Sequence, residues 1–406
     1  MAVQTSLRNR RGNCRGNCHV RTLLFSPLKL RDISLRNRIV VPPMHQYSAV
    51  KGFPTDWHLM NAGKFAAGGA GLVVVESTKV ERRGCGTVGD LGIWDDAFVE
   101  PLSRLVRFIK EQNAVAPSIG HSGRKARARR PWEGDGPLQR TPEMEDWDAW
   151  TPVAPSALAH SERWPVPKAL ERHEVKDLVQ AWGNGARRAH QAGFDVLELH
   201  GAHGYLVHQF LSERSNQRSD EYGGSESNRM RFITEITEAV RAHWPGDKPL
   251  FVRLSVEDNA GWGVEQSARL AKLLRTRGVD VIDCSSGGIT DQAPILGKEI
   301  KYNYQVPLSE YVRRHADIMT MAVGLIIHGD QADPAARTGR FDRGWPGDPQ
   351  QPELADGCCL EIGHRRAVPE CSAAVRILAR HPLQARFRHP TFDMAGRLGR
   401  RLAGRP

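Results

Sequence analysis

The sequence predicts an α/β chain folded as a TIM-like (β/α)8 barrel, and three observations carry that prediction. Apolar strand patterns alternate with helical ones along most of the chain, and repeated strand–helix units imply a parallel sheet. The 406 residues suit a single α/β barrel, which commonly reaches this size as one domain. Finally, the apolar run Val196-Leu197-Glu198-Leu199 leads straight into the polar loop His200-Gly201-Ala202-His203-Gly204-Tyr205. Barrels of this kind mount their chemistry on such loops at the ends of strands.

Taken in order, residues 1–22 carry five Arg and no acid, with a short repeat in Arg11-Gly12-Asn13-Cys14 and Arg15-Gly16-Asn17-Cys18. They read as a disordered basic extension or an upstream start. Strand patterns lie at 38–42, 71–76, 115–120, 195–199, 250–255, 280–284 and 319–323, and helical ones at 57–67, 97–112, 174–192, 227–243, 265–277 and 307–315. Pro117 falls inside a strand pattern, an unusual place for a residue without a ladder donor. The stretch 126–170, rich in Pro, Trp and charge and without a clear period, reads as a long loop or lid, where binding contacts often sit. The barrel domain is therefore expected over 23–339.

After Gly339 the composition changes. Residues 340–406 hold twelve Arg and no Lys or Tyr. The run Trp345-Pro346-Gly347-Asp348-Pro349-Gln350-Gln351-Pro352 is unsuited to a barrel strand, because Pro fixes φ and removes donors. No eighth strand is legible. The tail points to a reading-frame change near Gly339, and a barrel left with two open edges is expected to be poorly soluble.

The formal net charge of +11 resembles a nucleic-acid signal only until its distribution is examined. The segment 23–339 holds 40 basic and 39 acidic residues, so the excess sits in the two ends and no steering field for a phosphate backbone is indicated. Seven cysteines, only Cys85 and Cys284 of them in the barrel segment, give no disulfide framework and fit a reducing cytoplasm. Cys14 and Cys18 lack the second pair a zinc site needs. No apolar run reaches the ~20 residues that span a bilayer, and the N-terminus has no apolar core of a secretory signal.

Several blocks, in order, then carry a family likeness. They are Leu35-Arg36-Asn37-Arg38-Ile39-Val40-Val41-Pro42-Pro43-Met44, Gly68-Gly69-Ala70-Gly71-Leu72-Val73-Val74-Val75-Glu76, His121-Ser122-Gly123-Arg124-Lys125 and Arg130-Pro131-Trp132-Glu133-Gly134. The His200–Tyr205 loop follows, then Ser215-Asn216-Gln217-Arg218-Ser219-Asp220-Glu221-Tyr222-Gly223-Gly224, Phe251-Val252-Arg253-Leu254-Ser255 and Ile282-Asp283-Cys284-Ser285-Ser286-Gly287. From about Leu24 to Gly339 the chain resembles the old yellow enzymes, FMN-dependent NADPH dehydrogenases and ene-reductases, in particular their short bacterial, xenobiotic-reductase-like branch.

The resemblance implies a cytoplasmic flavoprotein oxidoreductase. Its FMN would take hydride from NADPH or NADH and pass it to an activated alkene (an α,β-unsaturated carbonyl) or a nitro compound, both small molecules. His200 and His203 would hold the substrate's electron-withdrawing oxygen, where fixed donors stabilise developing charge. Tyr205 would give the proton, as a phenol still protonated at neutral pH can. Pro42, Pro43, Met44 and His45 would lie against the flavin ring, with Tyr47 contacting substrate. Ser77 and Ser118 would face the flavin's pyrimidine edge, Arg253 would sit beside N1 and the C2 carbonyl, and Gly324 would let the phosphate approach backbone N–H groups.

Two positions depart from the family. His45 stands where a flavin-tuning Cys is usual, and a His can charge near pH 6.5. Ser118 stands where a longer Gln is usual. The last strand and a Gly-Arg pair for the phosphate are also not found. The basic cluster Arg124, Lys125, Arg127, Arg129 and Arg130 reads either as a solvated loop or as a site for NADPH phosphates. Relatives often pair as homo-oligomers through C-terminal segments, which this C-terminus does not match. A dienoyl-CoA reductase-like reading lacks its iron–sulfur cysteines and second nucleotide domain. The alternative of another class is a catalytically dead, flavin-free barrel, at most a binding scaffold.

Overall fold

A computed structural model describes residues 23–134, 136–142, 144–290, 303–326 and 358–359. The first element of the chain was not legible in the sequence. Strands β1 (Leu28–Leu30) and β2 (Ile33–Leu35) form an antiparallel hairpin turning through Arg31, whose φ is 49°. Three-residue strands give no alternation to read. Leu30 and Leu35 are buried against Val40, Leu72, Phe251, Val281 and Met321. Leu72, Phe251 and Val281 sit at the beginnings of their strands, so the hairpin stoppers the N-terminal end of the barrel.

The barrel strands are β3 (Ile39–Val41), β4 (Leu72–Lys79), β5 (Ala114–Gly120), β8 (Leu197–Gly201), β9 (Leu250–Ser255), β10 (Val281–Ser285) and β11 (Met319–Ala322), with β6 (Val153–Ala154) and β7 (Lys168–Ala169) outside the barrel. All neighbouring barrel strands pair in parallel, in the order β11, β10, β9, β8, β5, β4, β3. Both faces of these strands are covered, which is why they read as continuous apolar runs. The seven strand patterns of the sequence all became strands, with ends displaced by a residue or a few.

The expectation of no eighth strand needs correction. Cys358–Cys359 forms a short strand, β12, paired in parallel with β3 through Cys358↔Ile39 and Cys359↔Val40, and its backbone runs beside β11. Two residues suffice because β3 offers only three. The strand escaped notice because Pro-rich sequence precedes it. The rest of the tail, and with it the frame-change reading, lies outside the described residues, as do residues 1–22.

Helices cover the outside: α1 (Asp56–Ala67), α2 (Val99–Lys110), α3 (Arg172–Gln191), α6 (Arg231–Arg241), α7 (Val264–Arg275) and α8 (Val306–Ala316), with the short α4 (Leu206–Leu211) and α5 (Glu226–Arg229) before α6. In α3 the apolar stripe Val175, Leu178, Val179, Trp182, Ala186, Ala189 recurs at helical spacing and faces the sheet. Trp182 meets Phe232 of α6 edge-on at 5.7 Å, and full burial of a side chain of this size is worth about 2–3 kcal/mol. The expected helix over 227–243 is broken at Met230, where the buried Arg229 turns back to donate Nε to the Leu211 carbonyl at 2.8 Å.

Pro117 has a physical explanation. It stands opposite Val75, where the β4–β5 register slips between Val75 and Ser77, and Pro is tolerated at bulges. On its other side the ladder to β8 begins only at Ser118. The bulge leaves Glu76 as the extra residue and re-aims it. Its Oε1 accepts from His58 Nε2 at 2.8 Å and its Oε2 from the Gln46 amide at 2.6 Å. His58 Nδ1 accepts from the Thr55 amide, so the proton is on Nε2. This carboxylate ties α1 to the loop after β3. Among the described residues, no helix is long and apolar enough to cross a membrane.

Candidate active site

The loops after β3, β4, β5, β8, β9 and β10 meet at the C-terminal face of the barrel, the face where such folds place reacting groups. His200 ends β8 and is 5% exposed. Its ring centroid lies 5.2 Å from that of His203 and 5.2 Å from that of Tyr205. Neither ring nitrogen of His200 has a hydrogen-bond partner among the described residues. A buried imidazole with both nitrogens unused costs stability and is built to receive something else.

His203 is held from several sides. Its φ of 59° is left-handed. Its N–H donates to Ser255 Oγ at 2.9 Å, its Nε2 bonds Ser285 Oγ at 2.7 Å, and its carbonyl accepts from Lys125 Nζ at 3.0 Å. Gly288 lies against it so closely that a Cβ there would be 2.5 Å from the His203 carbonyl carbon. The Gly204 amide donates to His208 Nδ1 at 2.9 Å, and His208 Nε2 is 3.5 Å from Asp258. Tyr205 is the N-cap of α4, and two amines lie over its ring, Lys79 Nζ at 5.3 Å and Lys125 Nζ at 5.4 Å. Burial nevertheless pushes its phenol up, so the proton stays on.

His45 stacks on Tyr47 at 5.4 Å and meets Tyr205 edge-on at 6.5 Å. Its Nδ1 is 3.7 Å from Glu76 and 3.9 Å from Asp90, without a hydrogen bond. Burial, then the Lys79 charge, lower its pKa against those two carboxylates. Asp90 is fixed by the amides of Gly86 and Thr87, the Thr87 hydroxyl and Lys79 at 3.5 Å. Burial pushes the Tyr47 phenol up to about 12, and Trp132 from the 126–170 segment stands edge-on to it at 5.6 Å. That segment is docked through the fully buried Trp150, whose indole N–H donates to the Cys85 carbonyl at 2.9 Å.

The sequence-expected residues therefore divide. His45, Tyr47, His200, His203 and Tyr205 come together. Pro42 is buried, Pro43 half-buried and Met44 exposed at the rim. Ser77 accepts from Lys79 Nζ at 2.8 Å, and Arg253, 7% exposed, lies 3.3 Å from Asp283. Ser118 departs from expectation: it is wholly buried and its hydroxyl donates to Glu198 Oε1 at 2.7 Å, so it presents no exposed atom to a flavin edge. Gly324 has φ 120° and packs on Tyr304 and Gln305. Of the basic cluster, Arg124 is buried and donates to the Ile289, Leu158 and Ala159 carbonyls. Lys125 holds the His203 and Gly288 carbonyls, and Arg127 stacks on Trp147. These three brace the rim.

The sequence reading missed Lys79, Asp90, Glu198 and Asp283. For Lys79, Glu198 and Asp283 the signal is a charge within a strand, as in Leu197-Glu198-Leu199 and Ile282-Asp283-Cys284.

The sequence profile of the NADH:flavin oxidoreductase / NADH oxidase family matches residues 23–342. The chain belongs to this family. A relative named NADPH dehydrogenase from Geobacillus sp. (strain WCH70) is 43% identical over 326 residues, 79% of this chain and 88% of that one. A fungal NADH:flavin oxidoreductase from Gibberella zeae is 39% identical over 334 residues, 78% and 80%. Among solved structures, morphinone reductase in complex with tetrahydroNAD superposes with a TM-score of 0.64 at 25% identity, covering 88% and 91% of the two chains. The old yellow enzyme homologue from Zymomonas mobilis shares the fold, with a TM-score of 0.65 at 24% identity over 89% and 93%.

Membership makes this old yellow enzyme-type barrel an FMN-dependent, NAD(P)H-using oxidoreductase, and the residues present fit the cofactor's ring. The buried Arg253 guanidinium is a donor suited to the N1 and C2-carbonyl acceptor atoms of a flavin, and the 42–45 segment follows β3 at the same end of the barrel. The region after Ile326 that would complete the phosphate site is, apart from β12, outside the described residues.

Burial also shapes the pH dependence of stability. His45, His121, His200, His203 and His208 all have pKa values lowered first by burial. In the unfolded chain they protonate near pH 6.5, so the unfolded state binds more protons below that point and stability falls as pH falls. Glu198, raised to about 8, acts oppositely, its effect growing as pH rises from the ordinary carboxylate range to about 8. The denaturant midpoint is expected to be highest near neutrality and to drop steeply towards pH 5. A midpoint that is flat or rises on acidification contradicts this account.

Proposed function

We propose that the chain reduces activated alkenes, α,β-unsaturated carbonyl compounds foremost, or nitro compounds, with NADPH or NADH as reductant. The observation that supports this most directly is His200, whose two unpartnered ring nitrogens sit beside His203 and the protonated phenol of Tyr205. Bound FMN supplies the two-electron carrier. The protein's part is to bind and polarise. His200 and His203, kept neutral by burial, donate N–H groups to the carbonyl or nitro oxygen as it gains charge, and donors fixed beforehand cost no reorganisation. Tyr205 holds the proton for the α-carbon. Tyr47 and Trp132 form an aromatic wall that orients a flat substrate and excludes water. His45, neutral and stacked on Tyr47, adds a polar ring beside the proposed substrate position.

The test is the visible spectrum of the purified, desalted protein. A flavin spectrum that bleaches with NADPH under anaerobic conditions and returns on adding a cyclic enone is the expected result. A colourless protein that takes up no FMN, or a bleached one that no enone or nitro compound reoxidises, refutes the reading; the first outcome favours a flavin-free barrel.

A further inference from the structure

Beneath the mouth lies a buried acidic pair that the proposed chemistry does not use. Glu198 on β8 and Asp283 on β10 flank β9, which carries Arg253. Alternate strands of a barrel place their inward side chains in one layer. Both carboxyl groups are essentially unexposed. The partners around them are few: the Ser118 hydroxyl from β5 donates to Glu198 Oε1 at 2.7 Å, and Arg253 Nε from β9 forms an ion pair with Asp283 Oδ2 at 3.3 Å. Glu198 Oε2 and both Asp283 oxygens find no hydrogen-bond donor among the described residues. Two ionised carboxylates would present about eight acceptor sites to these donors in a dry interior. One proton shared between them supplies the missing donor and removes the repulsion, as in any close carboxyl pair.

We propose that Glu198 and Asp283 share one proton and act as a positioning pair for Arg253, coupling flavin binding to pH. The inference rests on Arg253 facing the FMN ring. With one proton in the pair, Glu198, Asp283 and Arg253 sum to zero charge, and the guanidinium remains effective towards the flavin's N1 and C2-carbonyl acceptor atoms. Release of that proton to solvent leaves the layer at −1 and sets the pair against the ligand. Burial and the neighbouring Asp283 push Glu198 up to about 8, with Arg253 and Ser118 opposing, and burial pushes Asp283 up as well. The ionisable groups facing the pair are thus each other and Arg253. His200, the next inward position on β8, is neutral.

The experiment measures FMN affinity of the apoprotein by quenching of flavin fluorescence, between about pH 7 and 9, for the full chain and for Glu198→Gln. In the native protein Kd should rise by up to tenfold per pH unit above about pH 8, whereas the neutral amide should give a flat profile. Parallel profiles overturn the proposal. A second measurement stands independently of folding in the variant and of FMN binding: the infrared carbonyl stretch of a protonated carboxyl in the native apoprotein. It should be present at pH 7 and fade above pH 8, and its absence at pH 7 overturns the shared proton. If no protein binds FMN at any pH, the cofactor reading fails, and the infrared band alone decides on the pair.

Discussion

Replacing His200 by alanine is expected to lower kcat/KM for an enone by about two to three orders of magnitude, the cost of deleting one preorganised donor to developing oxyanion charge. The FMN content should be unchanged. The reasoning is local. His200 is buried with both nitrogens unpartnered, so its removal frees no protein group that needs it, and only a bound ligand loses a donor. His203 differs, because its Nε2 is engaged by Ser285. His203→Ala should therefore also leave Ser285 without that partner and lower stability, where His200→Ala should not. Steady-state kinetics with flavin content read from absorbance checks both. A His200→Ala enzyme within threefold of the native rate would remove His200 from the proposed mechanism.

The second large effect is on the backbone. Gly204 has φ 70°, and a Cβ there would lie 2.0 Å from the Gly288 carbonyl oxygen. Gly204→Ala should lose about 3 kcal/mol or more, combining left-handed strain of ~1 kcal/mol with forced separation of two packed loops. Activity should fall with it, since the loop that moves carries His203. Gly69→Ala is the control. Its φ is 89°, but nothing lies within 4 Å of the added Cβ, so only the strain applies. Urea midpoints that are equal for the two variants would refute the close-approach argument.

Much of this fold was legible because the barrel strands are buried on both faces. A run such as Leu250-Phe251-Val252-Arg253-Leu254 needs no partner to be recognised. The β1–β2 hairpin was not legible, since its strands are three residues long, nor was β12, which follows a Pro-rich stretch and has two. The mouth was legible through its order of polar residues after strands, and His200, His203, Tyr205 and His45 do converge. Ser118 misled because position along a strand does not reveal which neighbour a hydroxyl meets. Its actual partner, Glu198, was passed over because an acid in an apolar run is uninformative until the lumen-facing side is known. Lys79 and Asp90 became visible as a pair only in the folded chain, where they stand 3.5 Å apart.

The stopper made by Leu30 and Leu35 has a kinetic corollary. Among the described residues, the floor of the barrel is closed and its mouth lies at the opposite end. Under the proposed function, nicotinamide and substrate both enter past Trp132 and Tyr47 and compete for that one threshold. Each should therefore obstruct the other at high concentration, and the crowding should be relieved by widening the doorway at Trp132 rather than by any change at the floor.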